Sequence, residues 1–110
     1  MVYLPGFLLS EYAYNKGVRN ALKYPEPQLL EMLQGTDMEE IYESLGAIFT
    51  RKMRSALQYL KTMALYDEDI ALQREAIITI RRIGGRKALD IIRYLKTTEH
   101  REFIKEELDL

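Results

Sequence analysis

Residues 67–97, DEDIALQREAIITIRRIGGRKALDIIRYLKT, decide the fold. Asp67 and Asp69 can accept hydrogen bonds from the free N–H groups of a first helical turn, and Glu68 and Asp69 suit the positive end of a helix dipole. From there Leu72, Ala76, Ile77, Ile80 and Ile83 recur at spacings of three and four, the period of one helix face. Gly84-Gly85 stops that helix, and Arg81 and Arg82 fall in its last turn, where cations are favoured. A second stripe of Ala88, Leu89, Ile92 and Leu95 follows at once and ends near Thr97-Thr98. Two helices joined by so short a connection are expected to pack antiparallel.

The hairpin has a copy. RSALQYLK at 54–61 recurs as RKALDIIR at 86–93 (86 − 54 = 32), and the same offset pairs Glu43 with Glu75, Ser44 with Ala76, Leu45 with Ile77 and Ile48 with Ile80. Three junctions, LLEMLQGTDMEEI at 29–41, LYDEDIALQ at 65–73 and YLKTTEHREFI at 94–104, each run from an apolar helix end through polar cap residues into a new helix. A period in the low thirties marks a solenoid of helix pairs, in which stacking supplies the core that no single pair can bury. The expected fold is all-α.

Apolar pairs before an acidic junction, then REAI at 74–77 and IGGRKAL at 83–89, resemble the short HEAT-like helical repeats of phycobilisome-lyase-related proteins. The resemblance is close over 29–95, weaker over the final helix and poor before Tyr24. It implies a right-handed α-α superhelix of about three stacked antiparallel pairs. It also implies an interaction scaffold, since most members are scaffolds and a minority are enzymes or bind nucleic acid.

The remaining chain fits one domain of 110 residues. Pro5-Gly6 marks a turn, and a helix follows from about Phe7, with Leu9, Tyr12 and Ala13 on one side and Val18, Ala21 and Leu22 later. Residues 1–24 read as a diverged first helix capping one end of the stack. Tyr3, Tyr12, Tyr14 and Tyr24 are concentrated there. They either cover that end or form a homodimer contact, because tyrosine is enriched at interfaces. Pro27 opens a short helix over 28–34 that Gly35 ends, and Thr36 and Asp37 cap the next, which runs to about Thr50, with Glu39 or Glu40 positioned for a capping box. Residues 50–54 are either a tight corner or a bend in one long helix; the alignment with Gly84-Gly85 favours a corner, although no glycine is present. Met53, Ala56, Leu57, Leu60 and Met63 then share a helix face, and a closing helix is expected over 98–110 with Phe103, Ile104 and Leu108.

Acids and bases nearly cancel, at a formal net charge of −1, which disfavours indiscriminate coating of phosphate backbones. The absence of cysteine removes disulfides, thiolate metal sites and thiol nucleophiles together, and fits an intracellular, cytoplasmic protein. MVYLPGFLL at the start lacks the basic residues and long apolar core of a signal peptide, and no run approaches the roughly eighteen apolar residues that span a bilayer. His100 is the single histidine, so the usual zinc sets cannot be assembled. Some HEAT-like hydroxylases carry iron on repeated His-Glu pairs, whereas Arg101 follows His100 here. Gly84-Gly85 fits a helix stop better than a phosphate loop, and Glu39-Glu40 and Glu106-Glu107 read as solvated faces. No catalytic constellation, metal site or cofactor site is expected.

Charge supplies the remaining signal. In stacked hairpins the turns within pairs line one edge and the junctions line the other. Arg51, Lys52, Arg54, Arg81, Arg82, Arg86 and Lys87 fall on the first edge; Asp37, Glu39, Glu40, Asp67, Glu68, Asp69 and Glu99 fall on the second. Dipole complementarity accounts for the acidic edge and for Arg81 and Arg82, but not for Arg51, Lys52, Arg54, Arg86 and Lys87 at helix starts. Two binding surfaces follow as expectations. Tyr59, Ile91 and Tyr94, on the second helices, would meet a protein partner, unless Tyr59 and Ile91 are buried against the neighbouring hairpin. Arg51, Lys52, Arg54, Arg82, Arg86 and Lys87 would bind an anionic partner such as nucleic acid.

Overall fold

The computed structural model describes residues 6–98, which are helical apart from short connections, with no strand among them. The elements are α1 (Gly6–Arg19), α2 (Glu26–Gln34), α3 (Met38–Arg51), α4 (Leu57–Tyr66), α5 (Ile70–Ile83) and α6 (Gly85–Thr98), with short 3-10 turns at Ala21–Lys23 and Arg54–Ala56. None of the described helices is long and apolar enough to cross a membrane. Tyr3, Glu99, His100, Glu106-Glu107 and the closing helix expected over 98–110 lie, apart from Thr98, outside the described residues.

Local structure repeats with the period read from the sequence. Asp37 Oδ1 accepts from the N–H groups of Glu39 at 2.9 Å and Glu40 at 3.2 Å, and Asp69 Oδ1, its counterpart one period on, accepts from Ala71 N–H at 2.9 Å. Each aspartate satisfies donors that a helix start leaves bare, which is why α3 and α5 begin where they do. Both are 14 residues long, so their ends, Arg51 and Ile83, keep the offset. So do the residues after them: Lys52 has φ +50° and Gly84 has φ +68°. A residue in the left-handed region ends the helix and turns the chain, and glycine adopts it without steric cost. The alternative between a corner and a bend near Thr50 is therefore settled as a corner, with lysine occupying the position glycine fills in the later copy. The period also reaches further back than the alignment. Helix α1 ends at Arg19, one period before Arg51, and α2 ends at Gln34, one period before Tyr66.

The chain divides into two compact units, Met1–Arg51 and Lys52–Leu110. In the first, α3 is the central element, packing chiefly on α1 and also on α2. Its buried residues, Ile41, Ser44, Leu45, Ala47 and Ile48, form a wide apolar face, and Ser44 Oγ donates to Ile41 O at 2.7 Å so that no hydroxyl is stranded. Helix α1 and the turn after it meet this face with only part of the expected stripe. Ala13 and Ala21 are buried as expected, together with Gly17, while Tyr12, Val18 and Leu22 point to solvent, Leu22 with 89% of its surface exposed. The reason is close approach: a Cβ on Gly17 would land on the Glu43 carbonyl, and one on Gly46 would land on the Tyr14 carbonyl. Backbone packs against backbone there, so the contact face is made of the smallest residues and not of the largest apolar ones.

In the second unit α5 takes the central place, between α4 and α6. Its buried stripe is the expected one, Leu72, Ala76, Ile77, Ile80 and Ile83, joined by Gln73 and Thr79. Thr79 Oγ1 donates to Glu75 O at 2.7 Å. Gln73 Nε2 donates to Asp67 O at 2.8 Å and ties α5 to the junction before it, while its Oε1 is buried with no hydrogen-bond partner among the described residues. Met53, Ala56, Leu57, Leu60 and Met63 are all buried, as their spacing predicts. Helix α6 departs at one position: its buried arc is Ala88, Ile91, Ile92 and Leu95, and Leu89 is 49% exposed. Both sets satisfy spacings of three and four, and the chosen one follows from where α5 and α4 lie.

Candidate functional site

The three residues expected to meet a protein partner do not share one surface. Tyr59 on α4 is 38% exposed and Tyr94 on α6 is 46% exposed, but Ile91, at 9%, belongs to the core. Ile91 therefore offers no face to a partner, and the alternative weighed from its position at the margin of the stripe is the one realised for it. Tyr94 is braced from α4, where the Lys61 ammonium sits 4.5 Å from its ring centroid. Such a contact orients the ring at a gain of roughly 0.5–1 kcal/mol when exposed.

Among the six expected anion-binding residues, Arg51 is a correction. Its guanidinium turns inward, and Nη1 donates to Ala21 O at 3.1 Å and to Tyr24 O at 2.5 Å. Those carbonyls belong to the short 3-10 turn between α1 and α2 and the residue that follows it, so the arginine holds that turn to the end of α3. Lys52, Arg54, Arg82, Arg86 and Lys87, all in the second unit, are exposed. Arg54 and the α5–α6 corner come together: a Cβ on Gly85 would stand 3.8 Å from Arg54 Nη2.

The same corner opens onto a groove of about 750 Å³ in the second unit, lined by Arg81, Arg86, Arg93, Ala88, Leu89 and Ile92 together with Asp90 and the two glycines. Its origin is local. A single residue, Gly84, separates α5 from α6, so the last turn of one helix and the first turns of the other splay directly from each other. Arg81 comes from α5; Arg86 and Arg93 stand seven residues apart on α6, two turns along one face. Three arginines and one aspartate are among its lining residues, and the first turn of α6, which carries no acidic residue, adds the positive end of its dipole. The sequence reading marks neither Arg93 nor Leu89 as a site residue. The signal available for Arg93 is its spacing from Arg86.

In the first unit, the clustered tyrosines are partly consumed by packing. Tyr14 meets Phe49 edge-on at 6.3 Å between ring centroids, and the Tyr24 hydroxyl donates to Glu43, whose carboxylate also lies 3.7 Å from Lys16 Nζ. Burial, and then the hydrogen bond and charge of Glu43, push the Tyr24 hydroxyl up to about 12. This constellation braces α1, α3 and the intervening turn. Tyr12 alone of the described three stays open to solvent. Among the described residues, no group of three or more His, Cys, Asp or Glu side chains stands together as metal ligands would. Comparison with protein-family models, with curated proteins and with solved structures finds no match to this chain.

Proposed function

We propose that this chain is a small, non-catalytic HEAT-like repeat scaffold that binds another protein, its hairpins stacking as a right-handed α-α superhelix in the cytoplasm. What supports the repeat is the recurrence, at one fixed offset, of an aspartate cap, a 14-residue helix and a left-handed corner residue. The binding reading is carried by one observation, the exposure of aromatic and apolar side chains on the second helices: Tyr59 on α4, and Leu89 and Tyr94 on α6. Large residues of this kind outside the core are the usual anchors of an interface. Tyr12 keeps a homodimer through the tyrosine-rich first unit in play, and light scattering that returns a monomer mass would remove it.

The test is retention of a partner by immobilised protein, wild type against a Tyr59→Ala, Tyr94→Ala, Leu89→Ala triple variant. Each residue is about half exposed, and circular dichroism of the variant checks that it stays folded. A partner held by the wild type and lost by the variant is the expected result, and an identical retained set refutes the reading. A second reading, anion binding along Lys52, Arg54, Arg82, Arg86 and Lys87, is favoured by Arg86 and Lys87 being exposed at a helix start, where the dipole opposes them. It predicts retention on nucleic acid that falls steeply with salt and weakens when Arg86 and Lys87 are neutralised.

A further inference from the structure

We infer that this chain pairs with a second copy of itself through the outer face of α1, two such helices lying antiparallel so that Tyr12 of each meets Arg19 of the other. This contact gives the tyrosine-rich first unit its homodimer and is independent of the scaffold reading, whose residues Tyr59, Leu89 and Tyr94 lie in the second unit.

Helix α1 inverts the ordinary arrangement of sizes. Its buried positions, Ala13 and Gly17, are small because α3 approaches so closely there. Large apolar residues are left outside: Tyr12 is 59% exposed, Val18 is 37% exposed, and Leu22 follows in the turn. A helix that meets its own unit through small residues gains nothing there from a tyrosine and a valine on its far side, and apolar side chains gathered outside a core mark a contact surface.

Spacing along the helix selects the second copy. Tyr12 and Arg19 are both exposed and stand seven residues apart, two turns along one face, with Asn15 between them on the same side. When an antiparallel copy is placed on a two-fold axis between residues 15 and 16, residue 12 lies level with residue 19 of the other copy, and residue 19 with residue 12. A guanidinium stacks on a tyrosine ring through both its charge and its plane, and the symmetry makes that contact twice. Asn15 falls beside the axis, where an amide that both donates and accepts can bond its own symmetry mate. Lys16 is the cation nearest the axis, and its Nζ is drawn away to Glu43 on α3 of its own chain, at 3.7 Å. An unrelated partner would have to carry a ring and a cation at this same spacing, whereas a second copy has both already. Aromatic residues and arginine are also enriched at the centres of interfaces.

The test is sedimentation equilibrium of the full chain from about 10 µM to about 1 mM, since two 14-residue helices, each about 21 Å long, make a contact at the small and weak end of the interface range. The expected result is a mass that climbs from monomer to dimer across those concentrations. Tyr12→Ala and Arg19→Ala should each raise the midpoint concentration by about tenfold. Exchanging the pair, Tyr12→Arg together with Arg19→Tyr, should return it to within about twofold of wild type, because the same ring and cation then meet in the opposite order. Both positions are exposed, so circular dichroism should report the wild-type fold for each variant. The chain has no cysteine, so Asn15→Cys places a single thiol beside the axis, and mild oxidation should link two chains through it far faster than through Gln28→Cys on α2, which is also exposed. A monomer mass at every concentration overturns the inference. So does a dimer that Tyr12→Ala and Arg19→Ala leave intact, that the exchange fails to restore, or that Gln28→Cys links as readily as Asn15→Cys. Partner retention through Tyr59, Tyr94 and Leu89 is read separately on the triple variant and stands or falls without these results.

Discussion

Gly46→Ala should destabilise the first unit, against the ordinary expectation for a helix interior. In a solvent-facing helix, alanine is favoured over glycine by about 1 kcal/mol. Here the added Cβ meets the carbonyl of Tyr14 and crowds the backbone N of Val18, so the obstacle is main chain and cannot rotate aside. Restoring ordinary carbon contact at roughly 3.5–4.0 Å requires α1 and α3 to part by on the order of 1 Å, and a gap of that size forfeits roughly a quarter to a half of the dispersion attraction across the contact. Overpacking of this kind costs about 1–3 kcal/mol. With the immovable partner placing it near the upper end, and the propensity gain of about 1 kcal/mol set against it, the net loss is about 2 kcal/mol. Gly17→Ala, which strikes the Glu43 carbonyl, should behave alike. The double variant should cost less than the two losses added, because helices already parted by one Cβ leave room for the other. Gly35→Ala is the control: its φ of −77° is open to any residue and its Cβ meets nothing nearer than 3.4 Å, so it should stay within about 0.5 kcal/mol of wild type. Urea unfolding followed by far-ultraviolet circular dichroism measures all four. A Gly46→Ala midpoint equal to or above wild type refutes backbone contact between α1 and α3.

Three further outcomes follow from individual side chains. Lys52→Gly should leave stability unchanged or raise it by up to about 1 kcal/mol, because it relieves a left-handed lysine, whereas Gly84→Ala should lower it by about 1 kcal/mol; thermal melts of the pair decide whether the two corners are equivalent. Gln73→Leu should lie within about 1 kcal/mol of wild type, since it removes a buried Oε1 that lacks a partner along with the bond to Asp67 O, while Gln73→Ala should cost about 2 kcal/mol through the added cavity. A leucine variant that costs as much as the alanine one by urea titration would show that loss of the tie to Asp67 O, common to both, outweighs the cavity. Tyr24 holds its proton more tightly folded than unfolded, so its contribution is intact below pH 10 and is lost as pH rises from there through about 12. Tyr24→Phe should flatten that alkaline decline in unfolding midpoint, and an unchanged decline would mean that Tyr24 is not the group responsible.

Helix existence, caps and period are legible from residues 67–97 because local chemistry determines them. An aspartate before an apolar run, a positive-φ residue after it and a stripe at spacings of three and four all act within a few residues. The face of α1 is not legible for the converse reason. The apolar pattern selects Tyr12, Val18 and Leu22 along with Ala13 and Ala21, whereas only the two alanines are buried, with Gly17 beside them, and it is the approach of α3 that makes small residues the ones that fit. Gly17, of a type that helix interiors ordinarily disfavour, is the point where α1 comes closest to the α3 backbone. Arg51 fails similarly: its charge is visible in the sequence, but the carbonyls it satisfies lie 27 and 30 residues earlier and belong to a turn of irregular backbone. On α6, two stripes that share Ala88, Ile92 and Leu95 satisfy the same periodicity, and Leu89 and Ile91 exchange roles between them. The groove depends on that exchange, and of its three arginines only Arg86 is anticipated as a site residue.

The glycine seam also sets what fixes α1 against α3. Carbonyl oxygens lodged in the notches left by absent Cβ atoms index the two helices like the teeth of a ratchet, so a slip along the axis would drive main chain into main chain. Steric indexing of that sort does not depend on ionisation. Raising salt should dissolve the Lys16–Glu43 attraction on the rim of the seam and leave the register itself where it is.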